Sequence, residues 1–296
     1  MTKTTKTTAT KSTAGTSPAR AIRKTASPKT AASAIDLPSQ LTEQFRELRL
    51  PTIRDQFLEA ATRAATENLS HLEYLSELAT VECETRRFGR IRRLLTRSRL
   101  PVGKTWDNFK FDRLPLNVTR QLETLRDGSF LIRRENILIF GKPGSGKSHV
   151  LCALAEQLVQ QGHSILFTTC ALLVQQLLIA KRDLRLSKLI NQLSKFEGLI
   201  IDDLGYVQQS REEMEVLFTL LAERYERGSV LLTSNLAFSK WDQIFKDTMT
   251  TVAAIDRLVH HSVIIELNVP SFRVETAHKS KSTGQQPATK SSTPAS

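Results

Sequence analysis

The stretch "NILIFGKPGSGKSHV", residues 136–150, decides the fold. An apolar run with strand character, Ile137 to Phe140, leads into "GKPGSGKS", Gly141 to Ser148, which fits G-x-x-x-x-G-K-[ST] at every fixed position. Glycines at 141, 144 and 146 allow backbone angles closed to other residues and let the chain approach an anion closely, N–H groups inward. The residues after it begin a helix-like run, so a helix N-terminus and its dipole add to the same attraction. Lys147 is expected to reach the β- and γ-phosphates of a nucleotide, and the Ser148 hydroxyl to ligate Mg²⁺.

Outward from this loop, short apolar runs alternate with helical patterns: "SILFTT" (164–169), "GLIIDD" (198–203), "SVLLTSN" (229–235) and "SVIIEL" (262–267). Being apolar on both faces, they predict a mostly parallel sheet covered by helices on both sides, an α/β nucleotide-binding architecture. A metal bound with phosphates needs a carboxylate from a second strand, and "GLIIDD" supplies Asp202 and Asp203. Asp202 is expected to hold Mg²⁺, through water, and Asp203 to orient or deprotonate an attacking water. Paired acids at a strand end also serve as helix caps; a phosphate loop 54 residues upstream favours the metal role. "TSN" places Thr233, Ser234 and Asn235 at the end of a third strand, where Asn235 can position water. The N-K-x-D pattern that selects guanine is absent, which leaves ATP as the expected nucleotide. A kinase acting on a small molecule would need a basic lid, which "KRDLRLSK" (181–188) could mimic.

The 296 residues are 40% apolar and 24% charged, an ordinary globular composition. Cys83, Cys152 and Cys170 are far apart and suggest neither zinc nor disulfides, so a reducing cytoplasm is expected. No apolar stretch approaches the roughly 20 residues that span a bilayer, and no membrane association is expected. The net charge is +12, but residues 1–35 carry seven Lys/Arg and no acid, and residues 276–296 carry three Lys and no acid. The remainder is therefore close to neutral. Both tails, 1–36 and 276–296, are rich in Lys, Thr, Ser and Ala and are expected to be disordered.

Between the first tail and the sheet, Leu41, Phe45 and Leu48 recur at helical spacing, Pro51 interrupts, and Ile53, Phe57, Ala60 and Ala64 resume. Ser70 with Glu73 three residues on forms a capping-box pattern for a third helix. Residues 37–104 thus read as a small helical domain, ahead of an α/β domain over 105–275 entered through "WDNF" (106–109). The helical domain ends in "RRFGRIRRLLTRSRLPVGK", with eight Lys/Arg and no acid from Arg86 to Lys104. Phe88, Ile91, Leu94 and Leu95 make that helix amphipathic. Arg86, Arg87, Arg90, Arg92, Arg93 and Arg97 suit the phosphate backbone of double-stranded DNA; a solvated helix face is the alternative.

"TVAAIDRLVHHSVIIEL" (251–267) poses a separate question, because Asp256–Arg257 could end a helix, flank a metal held by His260 and His261, or reach another subunit's site. Adjacent side chains on a helix or strand point apart, and no acidic cluster stands nearby in sequence, so a metal is not expected there. A structural histidine beneath the last strand is. For Arg224, in "ERYER", a surface ion pair with Glu223, Glu226 or Glu215 is expected.

With "GKPGSGKSHV", "LIIDDLGY", "LLAERYERGSVLLTSN", Trp241 with Phe245, "AIDRLVHHS" and "SFR" in this order, the chain resembles the AAA+ ATPases of the IstB/DnaC type. These are the ATP-binding helpers of insertion-sequence transposition and the bacterial helicase loaders. The resemblance spans Leu37 to Val274 and lies nearer the transposition helpers. It implies an AAA+ P-loop module behind a small helical domain, and ATP with Mg²⁺ bound by Gly141, Lys142, Pro143, Gly144, Ser145, Gly146, Lys147, Ser148 and His149. It also implies hydrolysis used as an assembly switch, an ATP-dependent homo-oligomer on duplex DNA, and recruitment or stimulation of a transposase; loading of a replicative helicase is the alternative. "DRL" is similar to the family's arginine-finger segment, which makes Arg257 the residue that contacts ATP of a neighbouring subunit. Two positions depart from the family pattern. Asp203 stands where Glu is common, which implies slow hydrolysis, and Pro270 precedes "SFR" where Gly is usual, at the segment carrying the candidate phosphate sensor Arg273.

Overall fold

The computed structural model describes residues 36–205, 210–236, 241 and 255–272. The basic tails, apart from Asp36, and also Phe245 and Arg273 lie outside the described residues. Two compact units divide between Leu78 and Ala79.

In the first unit, α1 (Leu37–Glu47) and α2 (Pro51–Glu67) form a pair interrupted where the sequence pattern broke. Pro51 occupies the first turn of α2, where its missing N–H costs nothing. Asn68 ends that helix in the left-handed conformation that asparagine tolerates, at φ 54°. Phe57, Ala60 and Leu78 make the core, with Leu41, Phe45, Ile53 and Tyr74 packed on it. The third helix, α3 (His71–Ser98), starts at the anticipated capping box. The Ser70 amide donates to Glu73 Oε2 at 2.7 Å and the Glu73 amide donates to Ser70 Oγ at 3.2 Å. Hydrogen bonding to the Ser70 backbone first, and to the Ser70 side chain second, holds the Glu73 carboxyl below its ordinary pKa.

The second unit contains the remainder of α3, a 3₁₀ turn at Phe111–Arg113, α4 (Leu116–Leu125), α5 (Ser129–Arg133) and β1 (Asn136–Gly141). These lead into α6 (Lys147–Gln160), β2 (Ile165–Thr169), α7 (Cys170–Arg182), α8 (Leu186–Leu193) and β3 (Gly198–Leu204). Then follow α9 (Arg211–Arg224), β4 (Ser229–Ser234), a helical turn at 255–259 and β5 (Ser262–Leu267). All five apolar runs became strands, every pairing is parallel, and the order is β2-β3-β4-β1-β5. Alternation along β1 sorts the two cores. Leu138 and Phe140 meet α7, α8 and α9, whereas Ile137 and Ile139 meet α4, α5 and α6. The central strand β4 is buried along its whole length, while the outer β5 buries Ile265 and Leu267 and exposes Ile264 and Glu266.

Parallel strands point their carboxyl ends to one side, so the loops after β1, β3 and β4 converge there. "KRDLRLSK" ends α7 and begins α8, and Lys181 pairs with Glu215 at 3.0 Å. Among the described residues, no helix is long and apolar enough to cross a membrane.

Candidate nucleotide-binding site

The loop after β1 has the geometry a polyphosphate requires. Gly144 sits at φ 81°, where a side chain is strained, and a Cβ there would lie 2.1 Å from Ser271 Oγ and 3.0 Å from Ser271 Cβ, so any other residue would displace that side chain. Ser145 Oγ is buried with no hydrogen-bond partner among the described residues, an unmet polar group within the loop. Lys147, 4% exposed, donates from Nζ to Gly141 O at 2.9 Å, Lys142 O at 3.1 Å and Asn235 Oδ1 at 2.6 Å. The ammonium thus lies inside the curl of the loop, and the end of β4 is tied to it. Ser148 and His149 follow in the first turn of α6; His149 Nε2 lies 3.2 Å from Thr105 O and its ring packs edge-on to Phe109.

Asp202 and Asp203 have different environments. Asp202 is buried and accepts from Thr233 Oγ1 at 2.6 Å; Thr233 Oγ1 in turn accepts from the Asp203 amide at 2.9 Å. The β3–β4 register shifts between Ile201 and Leu204, and Asp203 stands in that irregularity with φ 61° and an exposed side chain. Such a bulge re-aims side chains beside a site. Asp and Asn adopt positive φ more readily than Glu, which gives a backbone reason for the shorter acid at 203. The unmet Ser145 hydroxyl, the glycine cradle and the buried Asp202 fit ATP with Mg²⁺: the loop and Lys147 for phosphates, Ser148 and Asp202 for the cation.

The Thr233 bridge went unnoticed in the sequence, and it predicts a result. Thr233→Val keeps the shape but removes the donor to Asp202 and the acceptor of the Asp203 amide. Apparent Mg²⁺ affinity, read from magnesium titration of nucleotide hydrolysis, should fall about 10–100-fold, the usual cost of losing a bond that orients a metal ligand. Thr233→Ser should stay near wild type. An unchanged magnesium titration in Thr233→Val would remove the bridge from the site.

The sequence also passed over "WDNF", reading it as the entry to the domain. Trp106 is buried, Phe109 and Phe111 pack edge to face, and the Phe109 ring lies 3.0 Å from where a Gly146 Cβ would be. With Asn108, Lys110, Leu114, His149 and Val269, Phe109 lines a cavity beside the phosphate loop. The chain after β5 closes this cavity from the other side. The Phe272 amide donates to Gly144 O at 3.0 Å, Arg113 donates to Pro270 O at 2.9 Å, and the Lys110 and Arg113 cations lie over the Phe272 ring. The available signal was the cluster of aromatic residues Trp106, Phe109 and Phe111 ahead of α4.

Arg257 is not brought to this site. It is exposed in the turn at 255–259, whose Leu258 carbonyl accepts from Asn136 Nδ2 at 3.0 Å. Asn136 opens β1 and the phosphate loop closes it, so roughly 16 Å of strand lies between them. Arg224 is no surface residue either, which corrects the expected ion pair: it is 1% exposed and donates to the carbonyls of Leu193, Phe196, Glu197 and Ser229. Burial pushes its guanidinium pKa down to about 10. His260 and His261 are exposed rather than packed beneath β5, and their rings lie 4.1 Å apart.

The basic half of α3 places its arginines on an exposed face. Arg86 pairs with Glu82 at 2.7 Å, Arg90 donates to Gly162 O at 3.3 Å, and Arg97 lies over the Phe196 ring. Arg87, Arg92 and Arg93 are exposed beside them, and Arg90, Arg92, Arg93 and Arg97 line an open groove of about 560 Å³. Of the apolar stripe, Leu94 packs on the core while Phe88 stays 69% exposed.

Comparison with known proteins accords with this geometry. An insertion sequence ATP-binding protein of Sinorhizobium fredii is 41% identical over 251 residues, covering 84% of this chain and 84% of that protein. The ATP-binding protein of insertion sequence IS5376 from Geobacillus stearothermophilus is 34% identical, over 79% of this chain and 94% of that protein. Among solved structures, the DnaC helicase loader covers 56% of this chain and 97% of its own length, at 17% identity and a TM-score of 0.46. The model of the family described as IstB-like ATP binding protein matches residues 43–282. The chain belongs to the IstB-like family of ATP-binding proteins.

Proposed function

We propose that this protein is an ATP-hydrolysing regulator of DNA transposition that assembles as an ATP-bound homo-oligomer on duplex DNA and recruits or stimulates a transposase in the cytoplasm. The observation that carries the reading is the separation of Arg257 from its own phosphate loop by the length of β1. An arginine finger at that end would act on nucleotide held by another subunit, so a complete site would require assembly. The names of its relatives supply the insertion-sequence setting.

Within one subunit, the Gly141–Ser148 loop and Lys147 would bind the phosphates, while Ser148 and Asp202 would hold Mg²⁺. The bound cation supplies charge neutralisation at the phosphates. Asp203 would position or deprotonate the water, and Asn235, which also anchors Lys147, would hold it from the β4 side. Arg257 of the next subunit would face charge developing on the γ-phosphate. Because ATP bridges two subunits and ADP does not, nucleotide state would set the population of assembled protein.

DNA affinity tests the proposal. At about 0.1 M salt a slowly hydrolysed ATP analogue should tighten duplex binding relative to ADP, because aligned subunits present their arginines together. Neutralising Arg90, Arg92 and Arg93 to glutamine should flatten the log–log salt dependence by roughly 0.9 for each DNA phosphate left unneutralised. Equal binding in both nucleotide states would refute the switch, and an unchanged slope would make the basic half of α3 a solvated face.

A further inference from the structure

Adjacent histidines were expected to point apart, with no acid near them. Chain folding reverses both expectations. The turn at 260–261 lies against the loop that follows α9, and ligand atoms of His260, His261 and Glu226 all lie within 4.8 Å of one another, every one of the three residues exposed. We propose that Glu226, His260 and His261 form a binding site for a zinc-class divalent cation, on the side of the molecule that carries Arg257.

Donor chemistry selects the cation. Two imidazoles and one carboxylate make the N₂O set that borderline cations favour, at about 2.0–2.1 Å to nitrogen and 2.0–2.2 Å to oxygen, whereas Mg²⁺ prefers oxygen ligands alone. The three ligand atoms lie within 4.8 Å of one another, and exposure leaves the remaining coordination position to water.

Three features hold the ligands in place. The Tyr225 hydroxyl lies 3.0 Å from His260 Nδ1. With Nδ1 donating to that oxygen, Nε2 carries the lone pair a metal needs, the arrangement by which an outer partner fixes the tautomer and orientation of a liganding histidine. His261 is anchored through its backbone, its carbonyl accepting from the Asn136 amide at 2.7 Å. Glu226 is held at φ 57°, and Arg134 donates to its carbonyl. A non-glycine residue kept in that region marks a conformation the surroundings impose. Glu135 is engaged by Arg133 through both carboxylate oxygens.

The cation would join two segments 34 residues apart in sequence, the loop before β4 and the turn before β5. His260 is bonded through its amide to Asp256 O, one residue from Arg257, so a metal clamp would order the segment carrying that arginine.

The test uses the full chain without a histidine tag. Zn²⁺ should bind at one equivalent and raise the melting temperature, millimolar Mg²⁺ should not displace it, and Co²⁺ should show the intensified visible band of nitrogen-and-oxygen coordination. Tyr225→Phe should weaken binding about 10–100-fold by freeing His260, and His260→Ala, His261→Ala and Glu226→Gln should each weaken it at least as much. None of these four residues is buried, so the variants should keep wild-type melting temperatures without metal. Absence of saturable Zn²⁺ binding would overturn the proposal, as would binding that survives in the triple variant, which would place the ion elsewhere on the chain.

Discussion

Arg224→Ala is expected to cost about 3–5 kcal/mol of folding stability, the range for breaking a buried charged contact. Bonds from a charged donor contribute about 1.5–3 kcal/mol each; here Nη1 donates to Leu193 O, the two hydrogens of Nη2 are shared among the carbonyls of Phe196, Glu197 and Ser229, and the buried Nε has no partner among the described residues. Against that stands the burial of the cation itself, which pushes its pKa down to about 10, a cost of roughly 3 kcal/mol. The bonds outweigh the burial, and deletion leaves carbonyls from two segments, 193–197 and Ser229, facing a void. Gly228 belongs to the same arrangement, because a Cβ there would lie 2.6 Å from the guanidinium and 3.3 Å from Glu197 O. Arg224→Lys should recover only part of the loss, since one ammonium cannot reach four carbonyls around a plane. Urea denaturation with an unchanged slope is the measurement. A loss below about 1 kcal/mol would mean that water replaces the guanidinium.

The contrast between Arg224 and Arg257 shows what was legible in the sequence. The phosphate loop, the five strands and the capping box at Ser70 are local patterns, written within a few residues, and each formed where it was expected. Arg224 is charged and stands in the polar string "ERYERG", so local reading puts it on the surface. It is buried because the segment 193–197, about thirty residues upstream, folds back onto it together with the start of β4. The Thr233 bridge, 30 residues from Asp203, and the closure of Phe272 over Gly144 are likewise pairings that no spacing rule encodes. His260 and His261 failed for the same reason, since the acid that completes their group comes from residue 226. Asp203 was recognised as a short acid but read only as a weaker one; its positive φ, visible only in the fold, explains its size.

Loss of Arg257 is expected to cost hydrolysis about 10³–10⁵ in rate, the range for arginine fingers. Binding of ATP by the subunit should survive Arg257→Ala, because the side chain lies a strand's length from its own phosphate loop. Lys147→Ala should fail at binding, since Nζ sits within the loop at 2.9 Å from Gly141 O and also anchors Asn235. Alone, neither variant hydrolyses: one holds ATP without a finger, and the other offers a finger to an empty loop. Mixed in equal amounts, they can complement. Where an Arg257→Ala subunit holding ATP faces a Lys147→Ala subunit with its arginine intact, the site is whole. Random head-to-tail assembly creates this pairing at about one quarter of interfaces, so the mixture should recover about that share of wild-type activity. Arg224→Ala, whose defect lies in folding, should gain nothing from the same mixing. If the Arg257→Ala and Lys147→Ala chains co-assemble and the mixture stays as inactive as its components, Arg257 does not act across the interface and the shared-site mechanism is wrong.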